Sequence, residues 1–304
     1  MALGVIILNW NAAVDTIACL RSIQAWRQLT VQVWVVDNAS QDDSVARIQR
    51  EFPGVHLIQS TVNRGFAGGN NLALSEALEA GCQEVLLLNN DANIDEDDVI
   101  VLLETLRSHP ELGIVGPTIW DSDHPQVLLS AGGTDMARNL VSHIREVSPN
   151  GRLRSVEYVP GVCVLIRAEV LRWVGLLDED YFFGGELADL CARARQQGFT
   201  SAVDERTRAY HRVNRSSELR ENLHIYYVLR NRFLFVRKFH SRERWFLFAR
   251  WVAYGAYLAL LSAVYRKYQR TRSILLGLLD GLRGRFGGQN ERVLGVTSRG
   301  RGHS

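Results

Sequence analysis

The side chains able to do chemistry in this chain gather at a few points. Asn89-Asn90-Asp91 closes an apolar run over residues 85–88 with two amides and a carboxylate. Asn9-Trp10-Asn11 and Asp37-Asn38 close two earlier runs in the same way. Further on, Glu186 and Asp189 lie three apart, so they share one face of a helix, and Arg193 follows Asp189 at the pairing distance of four. His211 stands between Tyr210 and Arg212. A carboxylate such as Asp91 suits a hard divalent cation, Mg2+ or Mn2+, and His211 beside it would make a sparse site completed by diphosphate oxygens and water. Trp10 offers an aromatic face for a nucleobase. Asp37 can accept a hydrogen bond from a base imide or a ribose hydroxyl. Glu186 and Asp189 follow Tyr181-Phe182-Phe183-Gly184-Gly185, whose apolar wall would raise a carboxylate's pKa towards that of a general base.

Each group also has a plainer explanation. Asn and Asp favour turns through local hydrogen bonds. Trp10 suits ordinary core packing, and Asp37 a turn or helix cap. Gly65, Gly68 and Gly69 either cradle a phosphate before a helix or let helix and strand pack closely. They do not follow G-x-G-x-x-G, so a dinucleotide site is poorly supported. Arg64 beside them could pair with a phosphate or stand solvated. Glu186, Asp189 and Arg193 could form a solvated ion-pair face.

The elements that must position these groups tip the balance. Apolar runs at 4–8, 31–36, 55–58, 84–88 and 113–120 alternate with helical spacings at 14–26, 45–52, 65–80 and 95–106. This is the βαβ pattern of an α/β fold with a mostly parallel sheet. Right-handed parallel connections set the carboxyl ends of such strands on one edge, where ligands of open α/β sheets bind. Three strands ending on polar residues therefore read as a pocket. Residues 121–155 read as hairpins or loops, 168–174 and 186–197 as helices, and His211 as a loop residue after a short strand near Ala202. The 304 residues allow one large domain with an appendage, and 46% apolar content is ample for a core. Net charge of +2 argues against a general nucleic-acid binder. Four scattered cysteines with no CxxC pair fit reduced thiols. Residues 1–8 lack a basic leader and read as a first strand.

Asn9-Trp10-Asn11, Val35-Val36-Asp37-Asn38-Ala39-Ser40, the run from Asn63-Arg64-Gly65 through Gly68-Gly69-Asn70-Asn71, and Leu87-Leu88-Asn89-Asn90-Asp91 occur in this order. Together they resemble the family 2 glycosyltransferases, especially the bacterial rhamnosyltransferase-like branch. Residues 161–167, Glu186 to Arg193 and His211 extend the likeness to about residue 215. The resemblance implies a Rossmann-like GT-A fold over 1–217 and a nucleotide-diphospho-sugar donor. It implies that Asp91 is the last acid of a DxD-type motif and binds the cation. His211 would be a further metal or diphosphate ligand. Trp10 and Asp37 would contact the base and Arg64 the nucleotide or its phosphates. Asn9, Asn11, Asn38, Gly65, Asn70, Asn90 and Arg193 complete the expected nucleotide-sugar set. The implied reaction is inverting, metal-assisted single displacement by an acceptor hydroxyl.

Two departures stand out. The DxD position reads Asn89-Asn90-Asp91, so only the final acid is present. Where the family often has Glu-Asp-x-Asp, this chain has Glu186-Leu187-Ala188-Asp189. The usual base position is thus a leucine, and Glu186 or Asp189 must serve; Glu186 borders the glycine loop and has the longer reach. Leu187 also keeps open an alternative, a non-catalytic nucleotide-sugar-binding scaffold.

Residues 218–304 read as a helical, basic and apolar extension with a disordered end after Gly284. The apolar stretch 245–265 could just span a bilayer, but arginines flank both ends and Arg250 lies inside. A helix or helical hairpin in the interface of an anionic membrane fits better; a soluble helix packed on the catalytic domain or on a second copy in a homodimer is the other reading. The expected setting is a peripheral enzyme on the cytoplasmic face of the inner membrane. It would use a dTDP-, UDP- or GDP-linked sugar, with rhamnose favoured. The acceptor would be a growing surface polysaccharide or a lipid-linked glycan.

Overall fold

The computed structural model describes residues 2–148, 151–213 and 218–295. The unalternated apolar run forms β4 (Glu84–Leu88), buried at every position. Covering both faces of a strand removes any need for polar alternation. β1 (Leu3–Asn9), β2 (Val31–Asn38) and β3 (His56–Ser60) run parallel to one another and to β4 in the order β3-β2-β1-β4. Between them lie α1 (Ala13–Gln24), α2 (Ser44–Glu51) and α3 (Gly65–Glu79). The stripe read from the sequence, Ile17, Leu20 and Ile23, is the buried face of α1. It packs in one core with Val5, Val35 and Leu86.

The sheet continues through β5 (Ala92–Ile94), β6 (Leu112–Asp121), β7 (Leu128–Ser130), β8 (Leu153–Ser155), β9 (Cys163–Arg167) and β10 (Thr200–His211). Its full order is β3-β2-β1-β4-β9-β6-β10-β5, with β7 on β6 and β8 on β10. β9 is antiparallel to both β4 and β6, and β10 is parallel to β6. The carboxyl ends of β1, β2, β4, β6 and β10 therefore share one edge. α4 (Glu96–Ser108), with Glu96, Asp97 and Asp98 in its first turn, α5 (Ala168–Val174) and α6 (Glu186–Gln196) complete this part.

Two local expectations change, and one open alternative is decided at a single position. His211 is the last residue of the twelve-residue β10, not a loop residue. Register shifts between Asp204 and Arg208 break the pairing with β6, which is why the apolar alternation faded there. The glycine run, open to a phosphate cradle or to close packing of helix and strand, falls within the helix that the spacing at 65–80 implies. Gly65 through Asn71 lie inside α3, and a Cβ on Gly69 would come within 2.5 Å of Leu8. The close-packing explanation holds for that position. The chain beyond Gly284 is ordered as far as Gly295 and includes α10 (Asn290–Leu294). The rest of the expected disordered end, 296–304, lies outside the described residues.

The remaining helices are α7 (Glu218–Phe239), α8 (Arg244–Val264) and α9 (Tyr268–Arg283). Two compact units result, and the loops Met136–Leu140 and Glu179–Glu186 belong with the helical one. Within that unit the buried Asp280 accepts bonds from the Tyr226 hydroxyl at 2.8 Å and Arg292 Nε at 3.1 Å. The Tyr227 hydroxyl donates to Asn290 Oδ1 at 2.7 Å, tying α10 to α7. α9 crosses α7 so closely that a Cβ on Gly277 would sit 2.8 Å from the Tyr226 carbonyl oxygen. Backbone cannot yield as a side chain can, so Gly277→Val should destabilise the protein by about 2 kcal/mol. Gly54 has nothing within 4 Å of its Cβ position, so Gly54→Ala should stay within about 0.5 kcal/mol of the parent. Urea unfolding of both variants checks the difference.

Candidate active site

Asp91 follows β4 and precedes β5. β5 pairs antiparallel with the end of β10, Ala92 opposite His211, and the Arg212 amide donates to the Asp91 carbonyl at 3.1 Å. This main-chain pairing sets His211 Nε2 3.1 Å from Asp91 Oδ1. The two side chains are 22% and 35% exposed, so the pair opens to solvent on one side. The Oδ1 atom itself is buried, and the imidazole approach is not an aligned hydrogen bond. No group of three or more His, Cys, Asp or Glu side chains forms a metal cage among the described residues.

The neighbouring strand ends are joined by a buried hydrogen-bond chain. Asn9 Nδ2 donates to Asp37 Oδ1 at 2.8 Å and to Ser40 Oγ at 3.1 Å. The Thr16 hydroxyl donates to Asn9 Oδ1 at 2.7 Å and accepts from Asn90 Nδ2 at 2.9 Å. Asp37 Oδ2 accepts from the Ser40 amide at 3.0 Å. Asn9 is fully buried and Asp37 only 3% exposed. These polar groups are thus satisfied by one another, as burial requires. Asn11 takes a left-handed backbone, φ 50°; its amide donates to Ser40 Oγ and its Oδ1 accepts from the Gln41 amide. Trp10 beside it is partly exposed.

Asn38 performs a similar service one strand over. Its Oδ1 accepts from the Arg64 amide at 2.8 Å, and its Nδ2 donates to Asn63 Oδ1 and the Gly65 carbonyl. Gly65 has φ 70°, which lets α3 start there. Arg64 is exposed at that start. Asn70 Nδ2 donates one turn back, to the Phe66 carbonyl. Thr16 had no expected role, and Ser40 and Asn71 entered only as members of longer motifs. Asn71 Nδ2 donates to the Leu177 carbonyl and its Oδ1 accepts from the Leu177 amide. Nothing in a lone Thr or Asn announces a partner so far along the chain.

On α6, Arg193 Nε donates to Asp189 Oδ2 at 2.6 Å, the pairing that its spacing implies. The rest of the guanidinium donates to the carbonyls of Val174, Gly175 and Leu176. Arg193 therefore pins the end of α5 through fully buried Asp189, a structural use of a residue expected among the donor contacts. Glu186 is the first residue of α6 and is 6% exposed. Leu187 is buried and packs over Gly161, where a Cβ would meet it at 3.2 Å.

Comparison with known proteins points to one family. Residues 4–172 match Glycosyl transferase family 2, and the chain belongs to that family and is a glycosyltransferase. It is 24% identical over 292 residues to the low-salt glycan biosynthesis hexosyltransferase of Haloferax volcanii, covering 94% of this chain and 92% of the relative. It is 24% identical over 298 residues to the dTDP-rhamnosyl transferase RfbF of Shigella flexneri, with 93% and 96% covered. Against the N-acetylglucosaminyl-diphospho-decaprenol L-rhamnosyltransferase of Mycobacterium tuberculosis the identity is 25% over 286 residues, with 86% and 92% covered. Among solved structures, the mannosyltransferase from Pyrobaculum calidifontis in complex with GDP-Man and Mn2+ superposes with TM-score 0.58 at 17% identity, covering 93% of this chain and 87% of that one. TarS 1-349 of S. aureus gives TM-score 0.54 at 14% identity, with 94% and 74% covered. The fold is GT-A-like.

The thiols stand apart from this chemistry. Burial, and then the Asp91 carboxylate, push the Cys19 thiol up to about 12. Burial also raises Cys82, Cys163 and Cys191, and all four cysteines are free and buried. A neutral, inaccessible thiol is a poor nucleophile and a poor metal ligand. A disulfide-exchange reagent at pH 8 should leave the four cysteines of the native chain unreacted, and should titrate all four once the protein is denatured.

Proposed function

We propose that this glycosyltransferase works by inverting, cation-assisted single displacement, moving a sugar from a nucleoside-diphosphate donor to an acceptor hydroxyl. The observation that carries the reading is Asp91 beside His211 on the strand-end edge that also bears Asn9 and Asp37. The residues fit a hard divalent cation. A buried carboxylate oxygen lacks an aligned hydrogen bond, an imidazole nitrogen faces it, and two protein donors leave most positions for diphosphate oxygens and water. Asp91 and His211 would hold the ion, Mg2+ or Mn2+, and the Mn2+ in the mannosyltransferase complex supports that choice. When bound, such an ion neutralises charge on the departing diphosphate.

The chain's own residues supply the rest. Trp10 lies against the base, Asp37 accepts from the base or ribose, and exposed Arg64 pairs with phosphate. Glu186 takes the proton from the acceptor hydroxyl as that oxygen bonds to the anomeric carbon and the sugar–diphosphate bond breaks on the opposite face. Asp189, held by Arg193, keeps α6 in register. dTDP-rhamnose is the leading donor, because two of the relatives above are named rhamnosyltransferases; UDP- and GDP-sugars are the alternatives. The acceptor is a surface glycan or a lipid-linked precursor.

A thermal-shift screen of nucleotide sugars with and without Mg2+ or Mn2+ tests the donor. A ligand that binds only the folded state raises its stability by mass action, so the right base should stand out. Asp91→Asn should abolish cation-dependent turnover, and unchanged dependence would remove Asp91 from the metal role. Glu186→Gln should slow transfer by about 100-fold or more. Full activity in Glu186→Gln, together with loss in a folded Asp189→Asn, would transfer the base to Asp189.

We also assign the helical unit to the cytoplasmic face of the inner membrane. Residues 241–264 are long and apolar enough to cross a bilayer and are buried only in part within the protein. Trp245, Phe246, Tyr257, Leu260 and Val264 are exposed. Arg242 and Arg244 precede this apolar face and Arg266 and Lys267 follow it, a pattern that suits a helix lying in an anionic interface. The full chain should sediment with phosphatidylglycerol vesicles and not with phosphatidylcholine vesicles. Trp245→Ser with Phe246→Ser should weaken the first interaction.

A further inference from the structure

Three consecutive residues of α7 are buried although all are polar. Arg230 and Asn231 are fully buried and Arg232 is 7% exposed. A guanidinium or amide is held inside a protein only where its donors find acceptors. Here the acceptors are mostly main-chain carbonyls of two loops. Asn231 Nδ2 donates to the carbonyls of Tyr181 at 2.9 Å, Phe183 at 2.9 Å and Gly184 at 2.6 Å. Arg230 Nη2 donates to the carbonyls of Asp180 and Tyr181, and its Nη1 to that of Gly287. Arg230 Nε also donates to Asn231 Oδ1 at 2.9 Å, which fixes the amide so that its nitrogen faces the loop. Arg232 reaches the carbonyls of Met136 and Asn139 and lies 4.0 Å over the Trp251 ring.

The loop so held is one that needs holding. Phe182 has φ 60°, Gly184 φ 81° and Gly185 φ 105°. A left-handed backbone at a bulky residue persists only where its surroundings over-determine it. Phe182 also stacks on Tyr227 of α7, with ring centroids 5.1 Å apart. Glu186, which opens α6, follows Gly184 by two residues. The bonds from α7 therefore set the backbone from which the Glu186 side chain departs.

We infer that Asn231, oriented by Arg230, is a positioning residue for Glu186. This rests on Glu186 being the base, as proposed above. Asn231 touches neither donor nor acceptor in this scheme. Its loss should act on the proton-transfer step and spare donor binding.

The test uses the full chain as wild type, Asn231→Leu, Asn231→Asp and Glu186→Gln. Nucleotide release is measured from dTDP-rhamnose, UDP-glucose and GDP-mannose, with hydrogen–deuterium exchange read across the chain. Asp preserves the shape of Asn without its donors, so it guards against a packing artefact in the Leu variant. Both Asn231 variants should lose about 100-fold in kcat, the scale of a catalytic group misplaced by an ångström. Donor KM should stay within about threefold of wild type, because ground-state donor binding is untouched. The acid limb of the pH–rate profile should move, and exchange should rise at 179–187 while β4 stays protected. A kcat within about threefold of wild type, or a loss that only tracks the folded fraction with an unmoved acid limb, overturns the inference. If Glu186→Gln is inactive while the Asn231 variants are normal, only this inference falls. If Glu186→Gln is fully active, or wild type releases nucleotide from none of the three donors, the assignment of the base falls and this inference falls with it.

Discussion

The antiparallel pairing of β5 with the end of β10 is the contact on which the site depends. Asp91 and His211 come from distant parts of the chain and have to be brought together. Main-chain hydrogen bonds do it: Ala92 opposite His211, and the Arg212 amide on the Asp91 carbonyl. A sheet ladder is stiff and its register is discrete, because a slip of one residue turns every side chain to the other face. The carboxylate and imidazole are therefore held at a defined separation with both side chains still partly open to solvent. β10 can serve in this way because it runs parallel to β6 and so ends at the same edge as β1, β2 and β4.

Around that pair the polar strand ends are bound mostly to one another. Asn9, Thr16, Asp37 and Asn90 form a continuous chain of short hydrogen bonds. Leaving any one of them buried and unpaired would cost about 1–3 kcal/mol, so the network holds the loops after β1, β2 and β4 in a single arrangement. Asn38 extends the same logic to the start of α3. The asparagines that look like ligand contacts in the sequence are used first as mortar. Trp10, Arg64 and the Asp91–His211 pair remain at least partly open to solvent, and the Asp37 carboxylate keeps lone pairs beyond the two bonds it accepts.

The acidic helix shows how packing decides between equivalent carboxylates. Asp189 and Glu186 are three apart and indistinguishable by spacing. Asp189 is fully buried, and its partner Arg193 spends its other donors on the carbonyls at the end of α5. Glu186 begins the helix beside a loop of unusual backbone. Leu187, between them, fills space over Gly161. The leucine is thus accommodated by packing.

The sequence by itself determined the local order of this protein. The unbroken apolar run of β4, the spacing of Ile17, Leu20 and Ile23, and the polar residues closing three strands all act over a few residues, and periodicity reports them directly. It also carried the joint motif pattern that the family match bears out. Tertiary structure alone decided what depends on residues far apart. His211 proved to be a strand end because the irregular register after Asp204 had hidden the rest of β10. Gly69 proved to be a packing position because only its neighbour Leu8 shows how close the elements come. The segment from Gly284 to Gly295 is ordered because Tyr227, Asp280 and Arg230 bind it. The loop before Glu186 belongs to α7 for the same reason. Composition records what a segment can do alone, while a hydrogen bond from a distant side chain is specified only once the chain has folded around it.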